Sequence, residues 1–166
     1  MTIANIAHSA GADGGEPIGS FRGPQVCKIV GISYRQLDYW ARSDIIRPSV
    51  HDAAGSGTQR LYSYRDLVEL KVVKNLIDAG VSLQTARKAI NYLRDHLGED
   101  LASANLVLEG ERSLLVFTGD QIVDLVREGQ GVLNIVPLAP VKADIDAGIR
   151  DIVETVQPAL PFAVNE

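Results

Sequence analysis

The chain has 166 residues, 46% of them hydrophobic and 22% charged, enough for one domain or two small ones with a buried core. No apolar run approaches the roughly eighteen residues of a membrane span, and residues 1–20 lack the basic start and apolar centre of a secretory signal. A single cysteine, Cys27, excludes an internal disulfide and a thiolate metal cluster within one chain, so a cytoplasmic protein is expected.

The net charge of −5 argues against a nucleic-acid binder only until it is divided along the chain. Residues 21–97 carry twelve Lys/Arg against seven Asp/Glu, whereas residues 98–166 carry four against twelve. Such a split joins a basic segment suited to phosphates to an acidic one with another task.

Residues 1–20, rich in Ala, Gly and Ser, read as a disordered tail. A short helix over 23–30 follows, with Pro24 at its first position. Gly31-Ile32-Ser33 makes a turn, and Ser33 with Gln36 has the spacing of a capping box opening a second helix from Tyr34 to about Arg42. Two short helices around a tight Gly-containing turn are a helix-turn-helix candidate. Residues 48–58 have little to bury and lie between Ile45-Ile46 and Leu61-Tyr62, which predicts a β-ribbon wing.

Ser63 and Asp66 cap a third helix whose inner face is predicted to carry Leu67, Leu70, Val73 and Ile77, with Gly80 as its stop. Ser82 opens a fourth, with Leu83, Ala86, Ile90, Leu93 and Leu97 on one face. Beyond Gly98 the period changes. Residues 106–117 read as a β-hairpin, Thr118 or Asp120 caps a helix through Arg127, 132–136 reads as a strand and 142–156 as a last amphipathic helix. The expected class is α+β: a disordered tail (1–20), a winged helix-turn-helix domain of four helices and a β-wing (21–98), a small α+β dimerisation or effector domain (99–158) and a tail (159–166).

The run from Ile32 to Pro48 (Ile-Ser-Tyr-Arg-Gln-Leu-Asp-Tyr-Trp-Ala-Arg-Ser-Asp-Ile-Ile-Arg-Pro), followed by Gln59-Arg60-Leu61-Tyr62-Ser63-Tyr64-Arg65-Asp66-Leu67, resembles the DNA-binding domain of MerR-type transcription regulators, especially an actinobacterial group. The resemblance covers residues 21–97. It implies a homodimer that binds double-stranded DNA at an inverted repeat and works with RNA polymerase. It also implies that Arg60 is a wing arginine on phosphate or minor groove, and Tyr62 its companion for packing or a phosphate bond. An excisionase-like DNA-bending protein or an antitoxin-type module, built on the same winged fold, is the alternative.

The residue types support a DNA role independently. The first residues of a recognition helix reach base edges in the major groove, here Ser33, Tyr34, Arg35 and Gln36. Arg can bond guanine and Gln adenine in a bidentate way, and either can hold a phosphate instead. Tyr39 and Arg42, further along the helix, face the DNA backbone, while adjacent Trp40 is expected in the core. Arg42 and Arg47 are phosphate contacts or solvated charges. Cys27 reads as a small core residue. His8, His51 and His96 lack metal-ligand spacing, and Gly55-Ser56-Gly57 and Gly129-Gln130-Gly131 are not phosphate loops. Asp144, Asp146, Asp151 and Glu154 read as a solvated acidic face. No enzyme, metal site or cofactor is expected, and a small-molecule effector is unknown. Two departures from the family stand out: Asp38 where an arginine is common, and strand-like patterning where a long dimerising helix would run.

Overall fold

A short strand, β1 (Ser20–Arg22), leads directly into helix α1 (Gly23–Val30). The computed structural model describes residues 19–55, 58–96, 104–109, 112–116 and 133–156. Pro24 sits in the first turn of α1, where a missing N–H strands no carbonyl. Gly31 closes the helix at φ 79°, donating its N–H to the Cys27 carbonyl at 2.9 Å. That left-handed conformation is open to glycine without a Cβ clash.

Helix α2 (Tyr34–Arg42) begins at the capping box expected for it. Ser33 Oγ accepts from the Gln36 N–H at 3.1 Å, and Gln36 Oε1 accepts from the Ser33 N–H at 3.0 Å. The inward residues Leu37, Trp40 and Ala41 pack with Val26, Ile29 and Val30 into one core, with α1 against α2. Asp44 ends the turn after α2 at φ 59°, a conformation that Asp tolerates better than most side chains. The chain then folds back, and the Ile45 N–H reaches the Trp40 carbonyl at 3.0 Å.

The wing differs from the expectation. Ile45 and Ile46 are core residues and form no strand. Strand β2 (Leu61–Ser63) pairs antiparallel with β1, through Ser20↔Ser63, Phe21↔Tyr62 and Arg22↔Leu61. The outgoing side of the wing forms no strand there and meets β2 through the isolated bridge His51↔Leu61 and a Ser49–Ser63 hydroxyl hydrogen bond at 2.8 Å. Ser20, assigned to the tail from sequence, is therefore in a strand. A three-residue strand has no periodicity of its own, so its partner is chosen by tertiary contact.

Helix α3 (Tyr64–Asp78) has its predicted cap: Ser63 Oγ accepts from the Asp66 N–H at 3.2 Å. Asp66, 3% exposed, also gathers the Ser49 N–H, the Ser49 hydroxyl and the Ser63 N–H on Oδ2 at 2.8, 2.8 and 2.9 Å. This one carboxylate ties the start of the wing to the start of α3. Leu67, Leu70, Val72, Val73 and Leu76 are fully buried, whereas Ile77, predicted inward, is only half-buried. The helix buries a broader arc than a single 3–4 stripe.

The chain divides into two compact units, Met1–Leu70 and Lys71–Glu166, with the division inside α3. In the second unit, α4 (Leu83–Asp95) starts at Ser82, whose hydroxyl accepts from the Thr85 N–H at 3.2 Å. It buries Ala86, Ala89, Ile90 and Leu93, close to the predicted face. Strands β3 (Asn105–Glu109), β4 (Arg112–Val116) and β5 (Leu133–Pro137) form an antiparallel sheet in the order β4-β3-β5. The predicted hairpin is β3–β4, and β3 is central, with Leu106, Val107 and Leu108 all buried. Burial on both faces erases the alternation that marks a half-exposed strand.

Helix α5 (Leu138–Val156) starts four residues before the predicted 142. Pro140 looks like a breaker in sequence, yet it lies in the first turn, where it costs no helical hydrogen bond. The Leu138 N–H is anchored on the Ala104 carbonyl at 3.1 Å, and Leu138, Val141 and Ile145 are buried. The helix predicted from Thr118 or Asp120 through Arg127, residues 1–18 of the predicted leading tail and the predicted tail 159–166 lie outside the described residues.

Candidate nucleic-acid interface

The capping box fixes where α2 starts, and the helical period then decides what faces outward. Leu37, Trp40 and Ala41 take the core, which leaves two rows at i, i+4 spacing off the core, exposed except at half-buried Asp38. One row is Arg35 and Tyr39; the other is Tyr34, Asp38 and Arg42. Tyr34 is 62% exposed and Tyr39 57%, against 4% for Trp40, so the adjacent aromatic pair splits between surface and core as predicted.

The other candidates are placed as follows. Arg35 is exposed, and among the described residues no carboxylate pairs with it. Ser33 and Gln36 are exposed too, with the side-chain oxygen of each already engaged in the cap. A Gln36 that read adenine through both ends of its amide would have to release the Ser33 N–H. Tyr62 is fully buried, and its hydroxyl has no hydrogen-bond partner among the described residues. Burial raises its phenol well above the ordinary tyrosine range, so it stays neutral.

Arg60 is bound to helix α2. Its Nη1 donates to Asp38 Oδ1 at 2.7 Å, and its Nε lies 3.4 Å from Asp52 Oδ1, out of line for a hydrogen bond. Asp38 also holds Arg42 Nε through Oδ2 at 3.0 Å. The hydrogen bond from Arg60, foremost, keeps the Asp38 carboxyl below the ordinary aspartate range; the same bond raises the already high value of Arg60. A depressed carboxylate contributes its pairing above the usual aspartate range and loses it only as pH falls through the lowered value. Near neutral pH the pair is fully ionised.

Asp38, Arg60 and Tyr62 share a cleft of about 380 Å³ with Tyr34 and with Gly23 at the start of α1. A Cβ on Gly23 would come within 3.1 Å of the Tyr34 ring, so glycine permits this close approach. Sequence reasoning singled out Asp38 as unusual and missed its partners. Asp52 and Asp44, which both pair with Arg47, were also missed. The only sequence signal was the alternation of acids and bases at 38, 42, 44, 47, 52 and 60.

Among the described residues no group of His, Cys, Asp or Glu is placed to hold a metal, and no helix is long and apolar enough to cross a membrane. His51 lies in the wing bridge and His96 Nδ1 is 2.8 Å from the Tyr92 carbonyl. His8 lies outside the described residues. Cys27 is half-buried, with its thiol raised by desolvation, as for an unreactive packing residue. Asp144, Asp146 and Asp151 are exposed, Asp144 lying 3.8 Å from Lys71.

The family model described as MerR HTH family regulatory protein matches residues 21–93. Similar proteins include the uncharacterized HTH-type transcriptional regulators Rv1830 of Mycobacterium tuberculosis and Mb1861 of Mycobacterium bovis. Each is 48% identical over 115 residues, which make up 69% of this chain and 51% of the relative. The chain thus spans about half the length of the curated relatives it matches.

Proposed function

We propose, from the premise that residues 21–93 are a MerR HTH family domain, that this chain is a sequence-specific transcription regulator acting in the cytoplasm on double-stranded DNA. The outward side of α2 carries the reading: Tyr34, Arg35 and Tyr39 stand exposed on a helix whose other side is locked into the core by Trp40. Set into the major groove by its N-terminal end, such a helix brings Arg35 to a base edge and Tyr39 and Arg42 to the backbone. Ser33 and Gln36 contribute by fixing the helix start, and Tyr62 by packing beneath the wing.

Arg60 is the proposed wing contact to phosphate. Arg60→Ala is expected to weaken binding almost evenly across sequences and to flatten the slope of log K against log salt by about one. An unchanged affinity and slope would remove Arg60 from the DNA contacts.

We further propose that the protein acts as a homodimer on an inverted-repeat promoter site, in concert with RNA polymerase. One helix-turn-helix module makes few contacts, and two-fold symmetry doubles them at matching half-sites. Residues 99–158 are the proposed dimerisation or effector part, since the acidic half repels phosphate. Light scattering on the full chain should give twice the mass of one chain; a monomeric mass, free and on DNA, would contradict this.

A further inference from the structure

Three arginines and three aspartates form one continuous chain of ion pairs across the proposed DNA-facing side. It runs Arg42–Asp38 at 3.0 Å, Asp38–Arg60 at 2.7 Å, Arg60–Asp52 at 3.4 Å, Asp52–Arg47 at 3.6 Å and Arg47–Asp44 at 2.6 Å. The chain joins the outer face of α2, the turn after it and both sides of the wing. Its net charge is zero, so three of the basic residues best placed for a phosphate backbone are already neutralised by the protein itself. Arg35, one row across on α2, stands outside the network.

We propose that Asp38 and Asp52 compete with DNA phosphate for these arginines and so hold down sequence-independent binding. The inference rests on the DNA-binding reading above. A carboxylate and a phosphate present the same kind of anionic oxygens to a guanidinium, and both favour paired N–H···O contacts. Each phosphate contact made by Arg42, Arg47 or Arg60 therefore competes with a carboxylate that already offsets its charge. Affinity for random DNA comes almost wholly from such phosphate contacts, so the aspartates act chiefly there. Arg35 keeps its full charge, and base contact gains relative weight in the total.

The geometry also separates the two aspartates. Asp38 is on a helix and binds Arg42 and Arg60; Asp52 is in the exposed part of the wing and binds Arg60 and Arg47. Asp52→Asn leaves the helix and its cap untouched, so it tests the competition even if Asp38→Asn disturbs folding. Asp95, exposed at the end of α4 and outside the network, provides a substitution with the same change of charge.

The test is the affinity of the full chain for a random-sequence duplex over a salt series, for wild type, Asp38→Asn, Asp52→Asn and Asp95→Asn, with thermal melts alongside. Asp38→Asn and Asp52→Asn are each expected to bind about three- to tenfold more tightly at low salt and to steepen the log–log salt slope by about one. Asp95→Asn is expected to match wild type. Wild-type affinity and slope in both network variants would overturn the competition while leaving DNA binding intact. So would weaker binding with an unchanged melt, which would make the aspartates supports for a productive arginine pose. Equal gains in all three variants would reduce the effect to net charge and also overturn it. A wild-type chain that binds no duplex even at low salt would overturn the DNA-binding reading itself, and this inference with it.

Discussion

Trp40→Ala is expected to destabilise the protein by about 3–5 kcal/mol, because it empties a large volume from the core of the first unit. Trp40 is 4% exposed on the inward side of α2, among Leu37, Ala41 and the apolar face of α1. Its carbonyl also receives the N–H groups of Ile45 at 3.0 Å and Ile46 at 3.4 Å, which turn the chain back into the core. The neighbouring Tyr39 is 57% exposed, so Tyr39→Ala should change stability by less than about 0.5 kcal/mol. Denaturant melts of the two variants check the orientation of α2. Similar losses for both would mean that the helix is rotated from the arrangement described.

Arg35→Ala is expected to cost about 1–3 kcal/mol on a selected binding site and to relax preference at one position of each half-site. The reason is the availability of its charge. Arg42, Arg47 and Arg60 each hold a carboxylate, while Arg35 is exposed on the second residue of α2 with no such partner among the described residues. A guanidinium that gives up no internal ion pair delivers its full bonding to a guanine edge. Titration of selected and random duplexes separates the roles. Equal losses on both would make Arg35 a phosphate contact and move base readout to Tyr34, Gln36 or DNA shape.

Local chemistry made much of this arrangement readable in advance. Ser33 with Gln36, Ser63 with Asp66, and Ser82 each marked a helix start that the structure keeps, because a cap is decided within four residues. The division of Tyr39 from Trp40 followed from helical geometry alone. Features that depend on distant partners were not readable. The β1–β2 pairing joins residues some forty positions apart through strands of three residues each, too short to carry a period. Asp66 was legible as a cap, but its hold on Ser49, seventeen positions away, was not. The Asp38–Arg60 pair spans twenty-two positions. Charge order along the chain hinted at it, and only the fold brings the two side chains together.

The most direct test of the central claim, that α2 reads DNA sequence, is repeated selection of bound fragments from a random duplex pool by the full chain. The expected result is enrichment of one site with two-fold symmetric halves, the same in successive rounds and lost with Arg35→Ala. A pool that stays random after selection, from a protein that is folded by its melt, would contradict it.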